Sequence, residues 1–239
     1  MSTARQTKVI ARTEWKLIAR NKTVLFSATL FPLALTALYL IQDAEGPMAA
    51  AGLTSIMVAI FSSMTVYMTV TLTAVSRRQD LYLKRLRSGE SSDVAIFAGI
   101  TLPTALLCLA QMIVVVVVLA IIGFEVPVEP WWIVAAALGS IVSCLAMGLG
   151  TASVTPNASA AQMTTVPYFL FVIGSVFATP FADSQLMDLT PGGAVVTFAR
   201  LAFDVPTPGS ALTAAAGLVI WTAVGTEMAR RFFRWEPRS

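Results

Sequence analysis

The sequence predicts an all-α, polytopic membrane protein with six transmembrane helices, and three observations predict it. Hydrophobic residues make up 56% of the 239-residue chain and charged residues only 12%, about half the share of a typical globular protein. The charges are clustered. They leave uncharged runs of 20 residues between Lys22 and Asp43, 31 between Glu45 and Arg77, 31 between Asp93 and Glu125, 53 between Glu129 and Asp183, and 22 between Asp204 and Glu227. A helix of about 20 apolar residues crosses a bilayer core, and lipid obliges the backbone to bond within such a helix. The cations, finally, fall almost entirely on one side of the spans that these runs imply.

Residues 1–22 come first. Lys8, Arg12, Lys16 and Arg20 recur every four residues and form one stripe, with Ile10, Ala11, Leu17 and Ile18 on the other side and Trp15 at the boundary. That pattern describes a helix lying along the inner membrane interface; a basic tail that only sets topology is the alternative. The segment reads poorly as a signal peptide, because the apolar run after it is too long.

The transmembrane domain is expected over about 23–229. A first span covers 23–42, with Pro32 as a mild kink. A second covers 48–76, longer than a crossing needs, so that it tilts or projects into water. A third covers 94–123, with Pro103 near its start. The 53-residue run must hold two helices, and Thr155-Pro156-Asn157-Ala158-Ser159 supplies the turn and cap chemistry to break it. A fourth span at 131–154 and a fifth at 160–180 follow, and a sixth lies at 209–229, before a basic tail at 230–239.

Sidedness follows from the cations. Six Lys/Arg precede the first span, five lie in the loop 77–93 and four follow the last span, leaving Arg200 alone on the opposite face. Positive-inside bias makes the basic face cytoplasmic. Both termini would then be cytoplasmic in a plasma or inner membrane, with Trp131 and Trp132 at the outer interface.

Two connecting segments are more than loops. In 77–93, Leu81, Tyr82, Leu83 and Leu86 alternate with Lys84, Arg85 and Arg87; Ser88-Gly89 can stop a helix, and Ser91-Ser92-Asp93 can cap the next. A short cytoplasmic helix is expected, whose leucines call for an apolar partner that a docked protein could supply. In the outer segment 182–208, Ala194–Phe203 is apolar but too short to span. It predicts a re-entrant or interfacial helix, entered through Pro191-Gly192-Gly193 and left through Asp204-Val205-Pro206.

Several chemistries are excluded. The chain has no histidine, so no His-based triad, metal site or proton relay is expected, and no metal site at all. Cys108 and Cys144 sit inside apolar runs and read as small hydrophobes. No GxxxxGK[ST] phosphate loop occurs, so the chain is not expected to hydrolyse ATP itself. No charged residue falls deep within a predicted span, which argues against an ion-coupled secondary transporter. A non-transporting immunity or scaffold protein is the third reading.

Met57, Phe61, Met64 and Met68, at spacings of 4, 3 and 4, fall on one face of the second span. With Tyr67 beside them they are candidates for an adaptable substrate surface, or for ordinary packing. Small residues recur every fourth position in the fourth span: Ala135, Gly139 and Ser143, beside Ala136, Ser140, Cys144 and Gly148. They suit close helix packing, within the chain or at a dimer seam.

Taken together, these features resemble the membrane subunit of an ABC-2-type (type-2 ATP-binding-cassette exporter) permease, in the style of the daunorubicin-resistance and small drug-efflux permeases. The resemblance spans nearly the whole chain. Its local matches are LKRLRSGESS at Leu83–Ser92, Thr155-Pro156-Asn157 with Ala161-Gln162, and Asp188-Leu189-Thr190-Pro191 with Ala199-Arg200. The sequence departs from the family where Arg78-Gln79-Asp80-Leu81-Tyr82 replaces an acidic-Gly-Thr stretch and Glu90 replaces a common proline. The resemblance implies a coupling helix at Asp80–Arg87 seated on an ATPase, with Asp80, Leu81, Leu83, Lys84, Arg85, Leu86 and Arg87 as contact candidates. It implies two cytoplasmic ATPases, which carry ATP and Mg, and a second six-helix permease subunit, identical or homologous. This chain would bind no cofactor. The implied activity is outward transport of a hydrophobic or amphipathic substrate, drug-like or lipid-like.

Overall fold

The computed structural model describes residues 3–20, 46–88, 92–121, 123–182 and 184–236. The expected first span, 23–42, lies outside the described residues. Among the described residues the structure is helical, with no strand. Helix α1 spans Thr3–Arg20, and α2 runs unbroken over Pro47–Gln79. After a two-residue turn come α3 (Tyr82–Ser88), α4 (Asp93–Ile121), α5 (Trp131–Val154) and α6 (Ala158–Ala178). Two 3-10 turns, Thr179–Phe181 and Gln185–Leu189, lead to α7 (Pro191–Ala202) and then α8 (Ala211–Phe232). Five helices among the described residues are long and apolar enough to cross a membrane: α2, α4, α5, α6 and α8.

Local chemistry sets these boundaries. Gly46 adopts φ 91 and Pro47 opens α2 at its first turn, where a missing N–H is harmless. Asn157 caps α6 as its sequence suggests, its side chain accepting from the Ala160 N–H at 2.8 Å. Ser92 caps α4 by accepting from the Ala95 N–H at 3.2 Å. Ser210 and Thr213 form a capping box at the start of α8.

The middle of α2 departs from expectation. Phe61–Met68 is a π-helix, bonded i→i+5. The Ser62 hydroxyl donates to the Val58 carbonyl at 2.6 Å and the Ser63 hydroxyl to the Ala59 carbonyl at 2.5 Å, so side chains occupy acceptors that the α-register would use. A wider turn advances each residue by less than the 100° of an α-helix. Met57, Phe61, Met64 and Met68 therefore do not form the single face that their spacing implied.

The core lies where α5 packs against its neighbours. Its longest seam is with α8, and glycines make it possible. A Cβ on Gly150 would stand 2.7 Å from the Gly225 carbonyl oxygen, and one on Gly139 would stand 2.6 Å from Leu218. On another face, a Cβ on Gly148 would meet the Tyr67 carbonyl at 3.0 Å. In this chain, then, the small-residue rows of α5 serve intrachain contacts.

Helix α7 begins at Pro191, three residues before the apolar stretch suggested, and Pro191 through Ala199 are all buried. It lies among α2, α5, α6 and α8. A Cβ on Gly192 would come within 2.3 Å of the Val172 carbonyl, so only glycine admits this closeness to α6. Asp188, buried before α7, accepts from the Thr197 hydroxyl at 2.6 Å, the Ser210 N–H at 3.2 Å and the Thr213 hydroxyl. The carboxylate thus sits at the N-terminus of α8, where the helix dipole favours an anion.

The helix ends gather in two groups. The termini of α2, α4, α5, α6 and α8 that carry or adjoin the basic segments lie together with α1 and α3. The start of α2 packs instead with the end of α7, through Ala50, Ala51, Ala199 and Ala202. These are called the basic end and the opposite end below.

Candidate functional site

The basic end carries the residues that the sequence singled out, and its geometry begins with Arg78. This side chain, read from sequence as a loop cation, is fully buried because α2 continues to Gln79. Its guanidinium donates to the Ala152 carbonyl at 3.0 Å, and also to the carbonyls of Thr155 and Pro156. Gln79 accepts from the Ala158 N–H at 2.9 Å. One arginine and one glutamine therefore tie the end of α2 to the α5–α6 turn, Arg78 through carbonyls at the end of α5 and in the turn, and Gln79 through an N–H at the start of α6.

The chain then turns sharply. Leu81 takes φ 56, a left-handed conformation that disfavours a residue with a Cβ. The turn is closed by the Leu81 N–H donating to the Arg78 carbonyl at 3.1 Å and the Arg85 guanidinium donating to the Asp80 carbonyl at 2.8 Å. Its effect is to swing α3 back, so that Leu83 enters a cluster with Ile10, Val75, Ile96 and Ile100. Leu83 is 0% exposed. The expectation that both leucines await an external partner is corrected here. Leu83 finds its partner within the chain, and Leu86 is half-buried against the same cluster. What faces outward is Asp80, Leu81 (44% exposed), Lys84, Arg85 and Arg87.

Helix α1 braces this elbow. Ile10 packs onto Gly99 of α4, where a Cβ would stand 2.6 Å from that of Ile10. Glu14, one turn further on, is buried and accepts from Arg77 at both Nε (3.0 Å) and Nη2 (2.8 Å). Burial and the nearby Glu14 charge raise the Tyr82 phenol above its ordinary pKa. Lys8, Arg12, Trp15, Lys16 and Arg20 all lie exposed. Leu17, assigned to the apolar side, is 42% exposed instead.

The C-terminal segment also joins this end. Trp235 lies 5.3 Å from the Phe97 ring and beneath the Arg87 guanidinium at 4.8 Å. Lys84 pairs with Glu236 at 2.7 Å, which holds that carboxyl below its usual range. The sequence marked 230–239 only as a basic tail; the aromatic pair Phe233 and Trp235 was the available signal for its docking. Arg87 also meets Asp93 at 3.5 Å.

The residues proposed for a substrate surface are arranged differently. Met57, Phe61 and Tyr67 are buried in the central cluster, and the Tyr67 hydroxyl is 3.2 Å from that of Thr151. Met64 and Met68 are half-buried. They belong to the core and to the π-segment. Two cavities border other residues: one of about 510 Å³ at the basic end has Phe97, Arg230, Phe233 and Trp235 in its walls, and one of about 250 Å³ at the opposite end is bordered by Met48, Phe181 and Arg200. Among the described residues no cluster of His, Cys, Asp or Glu could hold a metal ion, and Cys108 and Cys144 are buried free thiols.

Against known proteins, a family model described as ABC-2 type transporter matches residues 5–201. No curated protein and no solved structure matches the chain.

Proposed function

The chain belongs to the ABC-2 type transporter family, a multi-pass membrane permease rather than an ATPase, and from that premise we propose how it works. It is the membrane subunit of an exporter in which a separate cytoplasmic ATPase, present twice, docks at the α2–α3 elbow. A second permease subunit, identical or homologous, completes the complex. The basic end faces the cytoplasm of a cell with this protein in its plasma or inner membrane, and α7 is re-entrant from outside. The substrate is hydrophobic or amphipathic and leaves outward.

One observation carries the reading. The elbow is anchored on its inner side by Leu83 and Arg78 and presents Leu81, Lys84 and Arg85 on its outer side. Because α2 is continuous over Pro47–Gln79, a push on that knob is delivered to a helix about 50 Å long. Arg78 and Gln79 pass the same push to α5 and α6. Glu14 and α1 keep the knob from folding sideways.

The test is co-purification of the ATPase, together with ATP-driven uptake of a fluorescent amphiphile into inside-out vesicles. Leu81→Asp/Arg85→Glu should remove both activities while the permease stays in the membrane at wild-type levels. If the double variant keeps its ATPase and transports normally, the elbow is not the docking site.

A further inference from the structure

At the centre of the bundle, beside the π-segment, lies a cluster of hydroxyls whose bonding is incomplete. Ser140 and Ser143 of α5 and Tyr168 of α6 are 4%, 1% and 8% exposed; the Ser140 hydroxyl has no hydrogen-bond partner, and the Ser143 and Tyr168 hydroxyls have only a loose contact with each other. Buried hydroxyls are almost always well partnered, so three under-bonded ones in one place call for an explanation. All three border the same void, together with Ser62 of α2 and the Cys144 thiol, and Pro191 of α7 closes it. The void is about 10 Å³, roughly what one water molecule needs.

We propose that this void is a binding site for one internal water, which joins α2, α5 and α6 at the middle of the bundle. A water offers two donors and two acceptors. Three under-bonded hydroxyls, plus the Ser62 oxygen, whose own proton goes to Val58, give it the two to four polar neighbours that a buried water requires. A monovalent cation fits worse. No carboxylate borders the void among the described residues, and an uncompensated charge at this depth is disfavoured. An apolar ligand would leave the hydroxyls as they are.

The location gives the water a role. Ser62 belongs to the segment where α2 abandons the α-register, and α2 ends at the elbow. Pro191 opens the buried α7 and closes the void from that side. A water between them allows α2 to shift against α5 and α6 by exchanging hydrogen bonds rather than by breaking apolar contacts. The site needs no ATPase to exist, so its test is independent of the transport reading.

The test is water-edited solid-state NMR on the full chain in lipid bilayers, with ¹³C-labelled tyrosine. The chain has four tyrosines, and Tyr168→Phe assigns the relevant ring. The dry reference is the Ser143→Val protein, because the Tyr67 ring lies only 4.8 Å from that of Tyr168 and shares its surroundings; Tyr82, half-exposed at the basic end, is the wet one. Water magnetisation should reach Tyr168 in the wild-type protein, and Ser143→Val, which removes one partner and fills the space, should abolish the Tyr168 signal. A wild-type Tyr168 ring that receives no water magnetisation would overturn the proposal, since Ser140 and Ser143 would then be bonded to their own helix. A Tyr168 signal unchanged in a folded Ser143→Val protein would overturn it as well.

Discussion

Two leucines two residues apart have opposite expected phenotypes. Leu83 is 0% exposed in an apolar cluster and Leu81 is 44% exposed at the tip of the elbow. Truncating Leu83 to alanine leaves a cavity between α1, α2 and α4, and such buried Leu→Ala changes cost about 2–5 kcal/mol. Truncating Leu81 removes a side chain with little to lose on folding, so stability should change by about 0.5 kcal/mol or less. Docking on an ATPase would bury the 44% of Leu81 that is exposed, worth about half of the roughly 1.5–3 kcal/mol for a whole leucine, or about 3- to 10-fold in affinity. Unfolding can be read from the chain's own thiols, because Cys108 and Cys144 are buried and meet a fluorogenic thiol reagent only when the bundle opens. Leu83→Ala should lower the midpoint of that reaction on heating, whereas Leu81→Ala should leave it in place and weaken ATPase capture. If Leu83→Ala melts like wild type yet loses the ATPase, the elbow is in the wrong register and the reasoning fails.

Further consequences can be measured with the same thiol assay. Arg78→Lys keeps the charge but gives up the fork that reaches three carbonyls, so it should destabilise by at least about 1–3 kcal/mol; an unchanged midpoint would remove Arg78 as the tie. Glu14→Arg should release α1 to protease attack within residues 3–20, and adding Arg77→Glu should restore protection; failure of the double exchange would show that the pair does not hold α1. Gly225→Ala should disrupt the α5–α8 seam, where a Cβ would stand 2.4 Å from the Met147 nitrogen, whereas Gly174→Ala, with nothing within 4 Å, should be tolerated; equal midpoints would refute that packing. The Lys84–Glu236 pair is exposed and should add little to stability. With the Glu236 carboxyl held low, the pair is present at neutral pH and lost as acid titrates that depressed carboxyl, so a zero-length carbodiimide should join the Lys84 amine to the Glu236 carboxyl near neutral pH, and absence of that cross-link would show that the tail does not dock as described.

Much of the architecture was legible because charge marks where helices leave the bilayer. The gaps between charges located α4, α5 and α6 closely, and Asn157 and Ser92 announced their caps. The same rule misplaced Arg78, since a charge at the rim can be drawn inward wherever helix-end carbonyls wait for a donor. The register of α2 was not legible at all. A 100° period assumes α-geometry, and serine hydroxyls that compete for backbone acceptors break that assumption without altering composition. Leu83 shows a third limit. An amphipathic pattern says that a face is apolar, but not whether its partner is another protein or α1 and α4 of the same chain. Glu14 was missed for a related reason, since a lone carboxylate on an apolar face gains its meaning only from Arg77, 63 positions away.

The central claim is that the outer side of the elbow is where an ATPase pushes. A photoreactive amino acid placed at Leu81 in intact cells tests it directly, with one at Leu83 as the inward-facing control. The account predicts that the Leu81 probe captures a cytoplasmic protein whose peptides contain a GxxxxGK[ST] phosphate loop, and that the Leu83 probe links only within the permease. A correctly inserted permease whose probes at Leu81, Lys84 and Arg85 capture no such protein would contradict it.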